Sequence, residues 1–390
     1  MPIDEISTVC YVGAGTMGCY NSIAAAISGY RVVLYDVDDK MLEQVPQKHR
    51  EMAAFLVGGG YCSQEEIPAA LERVKVTPDL AEATRDADLV SESVFERLDV
   101  KRDIHRKLDE VCPAKTILTT NSSALQVSDM EDVVARGDRF AALHSHLGSP
   151  LVDIVAGPRT DPAVIEILER YVKSTSGVPL VLKKEHPGYV LNAMLGPLLR
   201  AALALVVTGA ASREDVDRAW MQERRAPMGP FGMMDLFGLD LILDTWLHRA
   251  GDTVQRAFKP AVLDLLQPMV DGGETGMKAG KGFYVYPEPL YQQPGFIDTE
   301  SRYPDVYRPL ATALVTSALS LAAQSVAEPE DIDRAWMVGT YLDTGPFAIL
   351  EQMGTEPFLA ALTGEVATGR LSPEQARAAE MYLHASSTGQ

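Results

Sequence analysis

Cysteine and positive charge are both scarce in this chain of 390 residues. Four cysteines without a CxxC pair exclude a disulfide-rich fold and the usual thiolate metal sites, and they favour a reducing compartment such as the cytoplasm. Lys and Arg number 35 against 54 Asp and Glu, which gives a formal net charge of −19. A surface this negative repels nucleic acid and anionic lipid, so we expect neither as a partner.

Long uninterrupted apolar runs are missing as well. The longest run covers residues 190–207 and is broken by Asn192, Pro197 and Arg200, which predicts a buried helix and not a membrane span. The first residues carry acidic side chains where a signal peptide would carry Lys or Arg. We therefore expect a soluble, cytoplasmic protein.

Apolar β-branched runs alternate with helical stretches over the first half of the chain. The run TVCYV is followed by glycines, by a helix of small residues and by a second strand, RVVLY, which is the βαβ opening of a doubly wound sheet. After residue 186 the strand-like runs give way to long Ala, Leu and Met segments. We predict a Rossmann-type α/β domain over residues 1–186 and an all-α region after it.

The helical region contains an internal repeat. Residues 214–221, EDVDRAWM, return as EDIDRAWM at residues 330–337, an offset of 116 residues. The segment Gly-Pro-Phe at 229–231 returns at the same offset. The sequence therefore predicts two copies of one helical unit, over residues 187–290 and 291–390.

The glycines after the first strand have the G-x-G-x-x-G spacing of a dinucleotide-binding loop. In this motif the first glycine permits a tight turn, the second lets a pyrophosphate approach the backbone, and the third lets helix and strand pack closely. The helix that follows offers free N–H groups to the phosphates. A glycine turn in an α/β fold that binds no nucleotide is the alternative.

An acidic residue at the end of the second strand indicates which dinucleotide is bound. Asp36 can accept hydrogen bonds from the ribose hydroxyls and repels a 2′-phosphate, so the pattern predicts NAD and not NADP. The predicted cofactor contacts in this part of the chain are Gly13, Gly15, Thr16, Met17, Gly18 and Asp36.

Beyond single motifs, the chain resembles the 3-hydroxyacyl-CoA dehydrogenase family over nearly all of residues 7–286, and the repeat extends the resemblance to about residue 354. The matching segments, in the family's order, are VGAGTMG at 12–18, ADLVSESVFERLDVK at 87–101, LTTNSSALQ at 118–126, RFAALH at 139–144, PGYVLN at 187–192, EDVDRAW with PMGPFG at 214–232 and GMKAGKGFYVY at 276–286. Some members of the family carry a second copy of the helical domain. The resemblance implies an NAD-dependent oxidoreductase of fatty acid metabolism.

The same resemblance assigns further site residues. It places Glu96 and Lys101 near the nicotinamide ribose and includes Asn121 in the cofactor site. It sets Ser123 against the substrate oxygen and the nicotinamide, and Asn192 would donate to the substrate carbonyl. Without the resemblance, other roles are open for these residues. Glu96 and Lys101 could be solvated surface charges, the serine could cap the next helix, and Asn192 could be a structural asparagine.

His144 ends the strand RFAALH and is the predicted general base for the hydroxyl proton of the substrate. The family pairs its histidine with a glutamate twelve residues later, a position that Ala156 occupies here. A three-residue deletion in the preceding loop instead aligns LVDIVAG with the family's segment and puts Asp153 at the carboxylate position. A rearranged or inactive site is the alternative, since Leu147 replaces the family's usual asparagine. His146 shares a strand face with His144 and competes for the base role.

The segment that would bind the handle of the substrate, that is the group to which the acyl chain is attached, differs from that of the family. The family's coenzyme A site uses serine and lysine in the helical hairpin after the second strand, whereas residues 51–73 contain no lysine and carry GGG and glutamates. The other five histidines have no partner pattern, so we expect them on the surface or in packing, and no residue spacing suggests a metal site.

We therefore predict hydride transfer between NAD and a 3-hydroxyacyl substrate, which is interconverted with its 3-oxoacyl form. The handle stays open between a coenzyme A thioester, a carrier-protein thioester, a free hydroxy acid and a polyketide-type intermediate. An NAD-binding protein that has lost catalysis is the alternative from another class. Two assemblies are allowed: a homodimer, or a monomer whose second helical copy packs on the first as an intramolecular pseudo-dimer.

Overall fold

The computed structural model describes residues 5–248 and 253–388. The chain divides into two compact units, Met1–Tyr189 and Val190–Gln390. This boundary lies close to the predicted one after residue 186, because the strand-rich segment ends there. Both predicted helical copies fall in the second unit, and the further division after residue 290 stays a prediction.

The first unit is built on one mostly parallel sheet. Its described residues form eight strands in the order β3-β2-β1-β4-β5-β6-β7-β8, in which only the neighbours β6 and β7 run antiparallel. The strands are β1 (Thr8–Val12), β2 (Arg31–Tyr35), β3 (Val74–Thr77), β4 (Leu89–Glu92), β5 (Ile117–Thr120), β6 (Phe140–Ser145), β7 (Leu151–Ala156) and β8 (Val178–Leu182). The predicted Rossmann-type doubly wound sheet is confirmed.

Helices connect these strands and cover the sheet. They are α1 (Thr16–Ile27), α2 (Asp39–Gly58), α3 (Ile67–Glu72), α4 (Leu80–Thr84), α5 (Leu98–Val111) and α6 (Pro162–Ser174). All five residues of β1 are buried, as expected for a strand covered on both faces. The strand order reverses between β1 and β4, and in such sheets ligands bind outside the carboxyl ends of the strands at that point.

The antiparallel pair β6–β7 has a local cause. Only residues 146–150 connect the two strands, and a parallel connection would need a crossover of a dozen residues or more. The short connection therefore returns the chain as a hairpin. In the resulting register His144 lies directly opposite Asp153. The end of β6 and the start of β7 thus share one edge of the sheet.

The described residues of the second unit form helices joined by loops, the longest of which covers residues 272–303 and contains two short 3-10 helices, Met277–Ala279 and Leu290–Gln292. The first predicted copy contributes α7 (Leu191–Val207), α8 (Arg213–Arg224), α9 (Pro230–Phe237), α10 (Leu239–His248) and α11 (Thr253–Asp271). The second copy contributes α12 (Pro304–Ala323), α13 (Pro329–Thr340), α14 (Pro346–Met353), α15 (Thr355–Ala367) and α16 (Pro373–Thr388). The repeated sequence motifs fall on α8 and α13, and at the starts of α9 and α14.

One aspartate cap explains why the repeated residues recur together. Asp217 Oδ1 accepts a hydrogen bond of 2.8 Å from the Phe231 N–H at the start of α9, and Asp333 Oδ1 accepts one of the same length from the Phe347 N–H at the start of α14. The first N–H groups of a helix have no partner within it, so these carboxylates satisfy them. A Cβ atom at Gly229 would lie 2.3 Å from Asp217, so the aspartate requires the glycine.

The two copies pack against each other within the second unit. Helix α12 of the second copy contacts α7 and α8 of the first, and α13 also contacts α7. Trp220 and Trp336, which are equivalent residues of the two copies, are fully buried and meet edge to face with their rings 6.3 Å apart. The packing of one copy on the other, which the pseudo-dimer hypothesis requires, is therefore present in the structure.

Helix α12 is the one described helix that is long and apolar enough to cross a membrane by length and composition. However, 67% of its apolar 18-residue window is buried, and the helix packs on α7 and α16. Such burial is what a core helix of a helical domain shows.

We expect the second copy to replace a partner subunit. A chain that ends after residue 290 lacks α12, so the apolar face of α7 and the ring of Trp220 lose their cover. It should form dimers or aggregates under conditions where the full chain keeps its native size. Size-exclusion chromatography with light scattering on both chains is the measurement, and a soluble monomeric truncated chain would contradict the hypothesis.

Candidate active site

Two of the loop glycines are required by the protein's own packing. Gly13 has φ +104°, and a Cβ there would lie 2.7 Å from the Ser93 carbonyl oxygen. A Cβ at Gly18 would lie 1.8 Å from the Gly13 carbonyl oxygen. The turn and the close approach of α1 to β1 therefore leave no room for a side chain at these positions, as the spacing predicts.

The middle glycine has a different explanation. A Cβ at Gly15 would meet no described atom within 4 Å, so packing within the protein does not demand glycine there. Gly15 is also the N-cap of α1, no side chain caps that helix, and Thr16 and Met17 form its first turn. Its first N–H groups are open to an anion, and the space beside the backbone fits a pyrophosphate. The residues present thus fit a bound dinucleotide.

Asp36 follows β2 and also supports the glycine loop. Its Oδ2 accepts a hydrogen bond of 2.7 Å from the Ala14 N–H, and its Oδ1 accepts one of 3.0 Å from the Asp38 N–H. Lys48 of α2 donates to the Ala14 carbonyl oxygen at 3.0 Å. Asp36 and Lys48 therefore both fix the loop, and the contact of Lys48 has no signal in the sequence.

A buried cluster of charges lies at the end of β4. Glu92 is fully buried, and its Oε1 accepts hydrogen bonds from Lys101 and from the Val94 N–H, each at 2.7 Å. Its Oε2 accepts one from the Thr120 hydroxyl at 2.8 Å and lies 3.2 Å from His105 Nε2. Burial alone would raise the pKa of Glu92, but His105 and Lys101 outweigh it and lower the value to about 2.

Two residues of this cluster were considered from the sequence. Lys101 has a side chain that is 1% exposed, and its ammonium pairs with Glu92 and with Glu96, while its place near the nicotinamide ribose stays a prediction. His105 was expected on the surface or in packing, and it is fully buried beside Glu92. Glu92 itself was missed, since an acidic residue at the end of a short strand carries no motif.

Glu96 holds the turn that follows β5. Its Oε1 accepts hydrogen bonds from the Ser122 hydroxyl at 2.5 Å, from the Ser123 N–H at 3.0 Å and from the Ala124 N–H at 2.9 Å. Burial opposes its ionisation, but Lys101 and these donors keep the pKa of Glu96 below its ordinary value. The loop after β4 is thereby tied to the loop after β5.

The hydroxyls of the two serines after β5 differ in their hydrogen bonds. The Ser122 hydroxyl accepts from the Leu125 N–H at 2.9 Å and so closes the turn, but it caps no helix, because the next one, the 3-10 helix Val127–Asp129, has Gln126 as its N-cap. The described residues give the hydroxyl of Ser123 no hydrogen bond, which leaves it available to a ligand. Asn121 Oδ1 accepts a hydrogen bond of 2.8 Å from the Ser145 N–H and so joins the end of β5 to the end of β6.

His144 and Asp153 meet across the β6–β7 hairpin. His144 Nδ1 lies 2.9 Å from Asp153 Oδ2, and both side chains are buried. Burial lowers the pKa of His144, His146 lowers it further, and Asp153 opposes the change without reversing it. Burial opposes ionisation of Asp153, but the two histidines keep the pKa of that carboxyl below its usual value. The pair is therefore a neutral imidazole on a carboxylate.

His146 reaches the same carboxylate oxygen. Its Nε2 lies 2.8 Å from Asp153 Oδ2, and its ring meets that of His144 edge to face at 4.5 Å. The nitrogen and oxygen atoms of the three groups lie within 4.8 Å of one another, a grouping that the sequence spacing did not suggest. Asp153 has no exposed surface and lies on β7, not in the shortened loop.

Family models match both units of the chain. The model described as 3-hydroxyacyl-CoA dehydrogenase, NAD binding domain, matches residues 8–186. The model described as 3-hydroxyacyl-CoA dehydrogenase, C-terminal domain, matches twice, over residues 188–286 and 306–390. The chain belongs to the 3-hydroxyacyl-CoA dehydrogenase family. It is accordingly an NAD-dependent oxidoreductase, and its helical domain is duplicated.

Individual relatives agree with the family models. Mitochondrial hydroxyacyl-coenzyme A dehydrogenase of Sus scrofa is 32% identical over 292 residues, which cover 72% of this chain and 91% of the relative. A solved diketoreductase structure is 36% identical with a TM-score of 0.66 and covers 73% of this chain and 100% of its own. The 3-hydroxybutyryl-CoA dehydrogenase structure from Escherichia coli K12 covers 97% and 98% at 22% identity, and its TM-score of 0.79 shows a shared fold over both helical copies.

Relative to the family's pattern, the expected site residues fall in both units. The glycine loop, Asp36, Glu96, Asn121, Ser123, His144 and Asp153 lie in the first unit at or near the carboxyl edge of the sheet. Asn192 lies in the second unit, in the first turn of α7. The cofactor, NAD, follows from the family.

Selectivity between NAD and NADP should depend on Asp36. We expect NADP to bind at least about tenfold more weakly than NAD, because its 2′-phosphate would meet the carboxylate. Asp36→Ala should narrow this gap, although the loss of the Ala14 hydrogen bond should weaken both complexes. Calorimetric titration of both cofactors is the measurement. Asp39→Ala removes a nearby exposed charge as the control, and equal affinities of the unsubstituted protein for both cofactors would contradict the prediction.

Proposed function

We propose that the chain interconverts a 3-hydroxyacyl and a 3-oxoacyl substrate, with His144 as the general acid–base and Asp153 as the carboxylate that orients it. The hydrogen bond of 2.9 Å between His144 Nδ1 and the fully buried Asp153 Oδ2 is the observation that carries this proposal. Alcohol oxidation by hydride transfer needs a base for the hydroxyl proton, and a neutral imidazole held by a carboxylate fits that task near neutral pH.

The proton path follows from the tautomer. Donation from Nδ1–H to Asp153 leaves the lone pair of His144 on Nε2, which takes the hydroxyl proton of the substrate during oxidation and returns it during reduction. The ionised Asp153 stabilises the imidazolium that forms. Bound NAD supplies the acceptor for the hydride that leaves the carbinol carbon.

One further residue of the first unit is proposed at the reacting oxygen. The Ser123 hydroxyl, beside a turn that Glu96 fixes through two backbone N–H groups, would donate to the substrate oxygen. The role of Asn192 as an amide donor to the substrate rests on the family resemblance alone. Glu96 is then a supporting residue, since its Oε1 already accepts three hydrogen bonds from this turn.

Substitution of the proposed pair should give a non-additive loss of rate. Asp153→Asn should lower kcat by about 10²–10⁴ because the imidazole loses its tautomer and its counter-charge. His144→Ala should lower kcat by a similar or larger factor, and the double variant should be little worse than His144→Ala. Steady-state kinetics in both directions, with NAD affinity measured for each variant, is the test.

The chain offers a matched control for this experiment. His248 and Asp244 form a second histidine–aspartate pair at 2.9 Å, but both side chains are exposed on α10. Asp244→Asn and His248→Ala should leave kcat within about twofold, as exposed pairs contribute little. If His146→Ala were the silencing change and His144→Ala were tolerated, the base assignment would be wrong.

A substrate without coenzyme A is the second candidate. Residues 51–73 carry no lysine, and the arginine that ends them, Arg73, donates to the Ala26 carbonyl oxygen at 3.2 Å. Glu66 is engaged in capping Ser63 in the same segment. Residues 51–73 therefore offer little positive charge to coenzyme A phosphates. The diketoreductase relative, which catalyses reactions of dicarbonyl compounds, supports a family member with a different handle.

A comparison of handles should separate these candidates. If residues 51–73 make no phosphate contacts, acetoacetyl-CoA and acetoacetyl-N-acetylcysteamine should have kcat/KM values within about tenfold of each other, because charge-assisted hydrogen bonds are missing. Reduction of both thioesters and of free acetoacetate with NADH is the measurement. A preference for the coenzyme A thioester above about a hundredfold would assign the handle to coenzyme A.

A further inference from the structure

Two imidazoles converge on one oxygen of the proposed catalytic aspartate. His144 Nδ1 and His146 Nε2 lie 2.9 Å and 2.8 Å from the same atom, Asp153 Oδ2. The other oxygen, Asp153 Oδ1, is buried and has no hydrogen-bond partner among the described residues. The accepting capacity of this carboxylate is therefore divided between two donors instead of being given to His144 alone.

The shared oxygen fixes the state of both rings. A carboxylate only accepts, so each imidazole places its N–H toward Asp153: Nδ1–H for His144 and Nε2–H for His146. When His144 takes a proton from the substrate, its new positive charge faces a carboxylate that already serves another donor. The edge of the His146 ring, 4.5 Å from the ring of His144, adds no negative charge to compensate.

We propose that His146 is a positioning residue that shares one oxygen of Asp153 with His144, so that the carboxylate stabilises the protonated ring of His144 less than it would if it served His144 alone. The inference rests on the proposed role of His144 as the acid–base group. Its consequence is a bias of the reaction: oxidation of the alcohol needs neutral His144, whereas reduction of the ketone needs the protonated form.

The groups that face His144 come from several elements. Asp153 lies on β7, His146 follows β6, and Glu96 lies in the loop after β4. The ring of Tyr189, which follows β8, lies 5.1 Å away. Burial and His146 lower the pKa of His144, while Asp153 and Glu96 raise it.

The negative charge of Glu96 is partly compensated within its own cluster. Lys101 Nζ lies 3.3 Å from Glu96 and 2.7 Å from Glu92, so the buried ammonium is shared between two carboxylates. His146 is the side chain that lowers the pKa of His144, and it can be substituted without touching the Glu92 cluster or the glycine loop.

Two substitutions distinguish the effect of the aromatic ring of His146 from the effect of its N–H donor. His146→Phe keeps an aromatic ring and removes the donor, so Asp153 serves His144 alone and the pKa of His144 should rise by about one unit. His146→Gln removes the ring but keeps an amide N–H of similar reach, and it should restore the pKa of His144 to that of the unsubstituted protein.

Histidine titration by NMR on the full chain, labelled in its seven histidines, gives a readout without substrate. The His144 signal is assigned as the one absent from His144→Ala. All samples contain a chelator, so that trace cations do not occupy the three groups. A shift of about one unit in His146→Phe, with its reversal in His146→Gln, supports the inference. Equal pKa values in all three proteins overturn it.

The pH profile of turnover supplies the second readout, with 3-hydroxybutyryl-CoA oxidised and acetoacetyl-CoA reduced as probes. The acid limb of kcat/KM for oxidation and the alkaline limb for reduction should both move to higher pH by about one unit in His146→Phe. His248→Phe should leave both limbs in place.

The same variants distinguish the sharing role of His146 from the proposed role of His144 as the base. If His144→Ala silences turnover and His146→Phe moves neither limb, only the sharing role is wrong. If His146→Phe silences turnover and His144→Ala retains it, His146 is the base and both proposals fall.

Discussion

In the first unit, the antiparallel register of β6 and β7 carries the chemistry that the site can perform. The pairing of His144 with Asp153 is a cross-strand pair, so two backbone strands fix the distance between the two side chains. A slip by one residue would turn every side chain of the strand to the other face of the sheet. The short connection of residues 146–150 prevents that slip and also delivers His146 to the same carboxylate. One hairpin thus fixes the relative positions of His144, His146 and Asp153.

Buried charge is the second constraint, and it is met by compensation. Glu92, Lys101 and Asp153 have almost no exposed surface, and an unpaired charge in such surroundings would be strongly destabilising. Glu92 is balanced by Lys101 and by neutral donors, and Asp153 by two imidazoles. Through Glu96 the first cluster also shapes the turn that presents Ser123. The segment that carries this turn is also joined to the strand of His144, since Asn121 Oδ1 accepts a hydrogen bond from the Ser145 N–H.

The sequence was most informative where function imposes a fixed local spacing. The glycine loop, Asp36 and the sheet follow from short-range patterns, and the repeat is visible as near-identity. Asp153 was found because its flanking apolar residues could be aligned once a deletion was allowed. Residues whose importance depends on partners distant along the chain were not found. The burial of Lys101 under Glu92, the hydrogen bond from Ser145 to Asn121 and the approach of His146 to Asp153 all depend on which strand lies beside which, and no local pattern reports that order.

The duplication of the helical unit has a consequence for how the protein can vary. Because the copies are joined in one chain, each meets the other at an effective concentration set by the connecting segment, on the order of millimolar, and dilution cannot separate them. In a symmetric interface between identical chains, every substitution appears on both sides. In the interface between the two copies of this chain, a substitution appears on one side only. The two caps differ: Asp217 accepts a hydrogen bond of 2.9 Å from the Tyr284 hydroxyl as well as from backbone N–H groups, whereas Asp333 accepts its hydrogen bond of 2.8 Å from the backbone N–H of Phe347. Each copy is thus free to specialise while the other preserves the packing.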